Sequence, residues 1–85
     1  MRPLKDVINA AINIIPDECG NVKSGFTYEA QKLKDSLDYT APEAVSLRWQ
    51  QFIHLLEDFH LGSEPDWQNT LRDMVAGKID YKNFL

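Results

Sequence analysis

The sequence predicts an all-α fold: a small single-domain bundle of four main helices plus a short C-terminal helical turn. Three observations carry that expectation. Apolar residues recur at helical spacing in each long segment, and proline, glycine and N-capping residue types fall between the segments. In addition, 44 % of the 85 residues are hydrophobic, which suits a globular chain and argues against disorder. A chain of this length forms one domain and buries roughly 60–65 % of its unfolded surface, so it folds alone with little stability in reserve.

The first helix is expected over residues 3–15. Leu4, Val7, Ile8, Ala11, Ile12 and Ile15 repeat along one face, with Lys5, Asp6, Asn9 and Asn13 opposite them. Pro3 suits a first turn, and Pro16 restricts Ile15 and closes the segment. The polar face is too poor in Lys and Arg for an amphipathic membrane anchor, so this face points to the core. Residues 16–25, PDECGNVKSG, hold one Pro, two Gly, Asn and Ser, and read as a long connection governed by turn chemistry, with 16–18 as a single helical turn. The second helix is expected over 27–38 with Thr27 as N-cap and a narrow stripe of Phe26, Ala30, Leu33 and Leu37.

Residues 41–61 carry the largest side chains of the chain on one face and are expected to form the central helix. Val45, Trp49, Phe52, Ile53, Leu56 and Phe59 fall at i, i+4, i+7, i+8, i+11 and i+14. Thr40 and Glu43 match a T-x-x-E capping box, Pro42 lies in the first turn, and Gly62 stands where a left-handed residue ends a helix. Ser63 then opens a helix over 64–76, with Trp67, Leu71, Met74 and Val75 inward and Gly77 as its stop. The tail, 80–85, forms a terminal turn with Asp80 as N-cap and Ile79, Phe84 and Leu85 available to dock.

Thirteen acidic against nine basic residues give a formal net charge of −4. That balance disfavours direct nucleic-acid binding, which needs a basic stripe, and favours a protein partner with a basic surface. Cys19 is the single cysteine, so an internal disulfide and a cysteine-based zinc motif are both excluded, and a reducing cytoplasm is the expected compartment. No stretch reaches the apolar length of a membrane span, and Lys5, Asp6, Asn9 and Asn13 break what would be the core of a secretion signal.

Candidate chemistry is sparse, and no catalytic, cofactor-binding or metal-binding residue is assigned. Cys19 has neither a His neighbour nor a basic cluster to activate it. Glu57 and His60 form one E-x-x-H pair, the unit that di-iron bundles use twice, but no second copy exists. His54 and His60, six apart, lie on different helix faces and cannot chelate one ion together.

What remains is charge placement. Residues 57–66, EDFHLGSEPD, hold four carboxylates (Glu57, Asp58, Glu64 and Asp66) and no Lys or Arg. Glu64 and Asp66 fit a helix N-terminus, whereas Glu57 and Asp58 lie near a C-terminus, where the helix dipole disfavours them. With Tyr39 and Tyr81, each preceded by Asp, these four residues make a candidate acidic docking corner. The functional expectation is a non-enzymatic protein-binding module, a small acidic inhibitor or regulator. In size, acidity and helix content the chain is similar to nuclease immunity proteins and phage-encoded inhibitors of host defence, without a shared motif. The alternatives are an accessory subunit of an obligate protein assembly and a metal-dependent helical enzyme built on Glu57 and His60.

Overall fold

A computed structural model describes residues 4–58 and 66–85. The chain is all-α: α1 (Leu4–Ile14), α2 (Gly20–Ser36), α3 (Val45–Asp58) and α4 (Asp66–Val75), with a closing 3₁₀ turn at Tyr81–Phe84. Shorter 3₁₀ turns at Asp17–Cys19, Leu37–Tyr39 and Pro42–Ala44 bridge the helices. Among the described residues no helix is long and apolar enough to cross a membrane.

The hub of this bundle is α1. It packs against α2, α4 and the terminal turn, while α3 packs chiefly on α2. Leu4, Val7, Ile8, Ala10 and Ala11 of α1 are all buried, and Ile15 just beyond it is fully so. The expected central helix, α3, buries only Phe52 and Leu56 among its described residues, and Ile53 stays 37 % exposed. Aromatic bulk on α3 is spent in one cluster: the Phe52 ring lies 6.4 Å from Phe26 and 6.4 Å, edge-on, from Trp49. Polar ties fasten other elements to α1. Asn13 donates its side-chain amide to the Phe84 carbonyl at 2.7 Å, Lys34 donates to the Asn9 side-chain oxygen at 3.0 Å, and Lys5 pairs with Asp38.

One expected boundary is corrected. The second helix starts at Gly20, not near Thr27, so most of the expected 16–25 connection is helical. Pro16, in extended backbone, accepts from the Cys19 N–H at 3.0 Å, and the resulting 3₁₀ turn runs directly into α2. The apolar stripe explains the extension. Cys19 stands seven residues before Phe26 and packs against the same core as Phe26, Ala30, Leu33 and Leu37. Burial of that stripe outweighs the glycine and asparagine costs of the first turns. Lys23 adds an ion pair to Asp17 at 2.8 Å, which holds the Asp17 carboxyl below its ordinary range, chiefly through the hydrogen bond.

The capping box at Thr40 and Glu43 does not form. The Thr40 hydroxyl instead donates to the Ser36 carbonyl at 2.7 Å and accepts from Arg48 Nε at 3.1 Å, so it closes the end of α2. The third helical run opens at Ala41 in extended backbone, with Pro42 in the first turn as expected. Where a geometry is dictated locally, the sequence expectation stands. Gly77 adopts φ 83°, and the bonds from Gly77 N–H to the Met74 carbonyl (3.1 Å) and from Lys78 N–H to the Asp73 carbonyl (2.8 Å) close α4 in a Schellman motif. Asp80 accepts from the Lys82 N–H at 2.9 Å and caps the terminal turn. The expected stop at Gly62 and cap at Ser63 lie outside the described residues.

Candidate functional site

Glu57 and Asp58 end α3, and both are exposed. Consecutive helical residues point about 100° apart, so the two carboxylates serve different sides of the helix. Glu57 lines a groove of about 270 Å³ between α3 and α4, with Ile53, Leu56, Leu71, Arg72 and Val75. Asp58 lines a groove of about 380 Å³ between α2 and α3, where Leu33 and Leu55 lie among Glu29, Lys32, Arg48 and His54. Each carboxylate therefore shares its groove with a cation. Around Glu57 and Asp58 the described surface is thus of mixed charge. Glu64 lies outside the described residues, and of Asp66 only the backbone, at the start of α4, is described.

The two tyrosines assigned to the corner part company. Tyr39, in the 3₁₀ turn after α2, is 92 % exposed, while Tyr81 is 6 % exposed and belongs to the core. Tyr81 is thus corrected from contact residue to packing residue. The spacing explains why: side chains at i and i+3 of a 3₁₀ turn eclipse, so the face that docks Phe84 also docks Tyr81. Tyr39 and Asp58 stand at opposite ends of α3, a helix of 14 residues and hence about 20 Å long. Tyr39 therefore does not share a corner with Asp58.

The groove between α2 and α3 brings together residues that sequence reasoning passed over. A short connection makes these helices antiparallel neighbours, which sets Ser36 beside Arg48 at one end of the groove and Glu29 with Asp58 at the other. Arg48 is held in place by Thr40 and by the Gln51 side-chain oxygen at 2.8 Å. Lys32 lies 5.0 Å from the ring centre of Tyr28, itself 65 % exposed, on the outer wall. Glu29 is the missed acidic residue. Its visible signal was register, since Glu29, Lys32 and Ser36 follow one helical face, but the pairing of that face with Asp58 exists only in the fold.

The groove is open to solvent and does not enclose a volume. Glu29, Lys32, Gln51, His54 and Asp58 are all exposed, so water reaches the whole groove. His54 Nδ1 lies 4.0 Å from Glu57 Oε1, with both side chains largely in solvent. His60 lies outside the described residues, and among the described residues no three His, Cys, Asp or Glu gather as metal ligands. The Cys19 thiol is half-buried against the core. Comparison with protein-family models, with curated proteins and with solved structures returns no significant match.

Proposed function

We propose that this protein is a non-enzymatic binding module, a small acidic inhibitor or regulator that docks on a basic functional surface of a partner protein. The general type is that of nuclease immunity proteins and phage-encoded inhibitors of host defence. The observation that carries the reading is the position of Glu57 and Asp58. Both are exposed carboxylates in the last described turn of α3, and near a helix C-terminus the dipole disfavours negative charge. Glu29 adds a third carboxylate beside Asp58. Tyr39, nearly all in solvent, is an aromatic of the kind that anchors interfaces and marks the far end of the same helix pair.

The test is affinity capture of the partner, followed by the double charge reversal Glu57→Lys with Asp58→Lys. Association slows in the double variant, most at low salt, because encounter is steered by charge. The melting temperature holds or rises slightly, since cations near a helix C-terminus are worth about 0.3–1 kcal/mol. An association rate and salt dependence equal to the parent's would refute docking through these residues. A chain that self-associates more strongly as salt rises supports the accessory-subunit reading instead. Metal retained through purification, and lost in His60→Ala, supports the metal-enzyme reading.

A further inference from the structure

We draw no further inference here: the strongest candidate, the apolar groove between α3 and α4 lined by Ile53, Leu56, Leu71 and Val75, carries nothing because nothing in the structure shows what covers it.

Discussion

Helices α1 and α3 are both amphipathic, yet they occupy opposite roles. α1 has no aromatic residue and is enclosed by α2, α4 and the terminal turn; α3 holds Trp49 and Phe52 and lies chiefly against α2. The difference lies in the width of the apolar sector, not in the size of its side chains. At 100° per residue, the apolar positions of α1 from Ala10 through Leu4 to Ile12 cover an arc of about 200° with no charge inside it. On α3 the corresponding arc is about 160°, and Arg48 interrupts its edge. A wide arc must be covered from several directions, whereas a narrow one is satisfied by a single neighbour. Small residues help: Ala10 and Ala11 are both fully buried, and their size lets other elements approach α1 closely. Bulk marked α3 as the apparent centre, and width identifies α1 as the actual one.

Truncation tests this contrast most strongly. Ile8→Ala, at a fully buried site on α1, should cost about 2–5 kcal/mol, and Phe52→Ala about 3–5 kcal/mol. Ile53→Ala on the same helix as Phe52 should cost only about 0.5–1 kcal/mol, because that side chain is 37 % exposed. Urea melts of the three variants decide the matter. An Ile53→Ala loss equal to that of Ile8→Ala would mean that α3 is enclosed on that side too.

Overpacking sharpens the same point from the other direction. Ala10→Leu adds volume to a fully buried position and should destabilise by about 1–3 kcal/mol. Leu47→Gln, on the outer side of α3 where Leu47 is 53 % exposed, should change stability by about 0.5 kcal/mol or less. Thermal unfolding at matched concentrations separates the two. Equal effects would erase the distinction between an enclosed helix and a peripheral one.

The locally determined ends come next in size. Gly77→Ala forces a side chain into the left-handed region and should cost about 1–2 kcal/mol. Asp80→Ala removes the cap of the terminal turn, which covers α1, and should cost about 0.5–2 kcal/mol. Increased amide exchange confined to residues 81–85 in Asp80→Ala would show that the turn docks through its own cap. Unchanged exchange would show that Tyr81 and Phe84 hold it without one.

The smallest effect concerns the start of α2. Lys23 holds the Asp17 carboxyl below its ordinary range, so the unfolded chain binds that proton more readily than the folded one. The pair's contribution is therefore present above the ordinary carboxylate pKa and is lost as pH falls through the lowered one. Because Asp17 is exposed, the change in stability is slight, and the direct readout is an NMR titration. Lys23→Met should return the Asp17 midpoint to the usual carboxylate range. A midpoint that stays low would assign the shift to the backbone at the start of α2.

Candidate-site residues were legible to very different degrees. Exposure of Glu57, Asp58 and Tyr39 follows from their polarity and position, and the structure leaves all three in solvent. Tyr81 was misread because a tyrosine after Asp in a polar tail looks exposed until the tail is seen to close against α1 through Asn13. The groove that joins Glu29 to Asp58 was invisible, since those residues stand far apart in the chain and meet only when α2 and α3 pack.

By itself the sequence determined the helical class, the inward faces of α1 and α4, the glycine stop at Gly77 and the cap at Asp80. Each depends on interactions within a few residues, and their energies are the same in any fold. Tertiary structure decided which helix sits at the centre, where α2 begins and what Thr40 bonds. In each case two local options lie within about 1 kcal/mol of each other, as turn against helix at residues 20–26 or one cap against another at Thr40. Burial of a single Phe26 side chain, worth about 1.5–3 kcal/mol, is enough to settle such a choice, and that burial exists only once the other helices, with Phe52 among their side chains, are there to receive it.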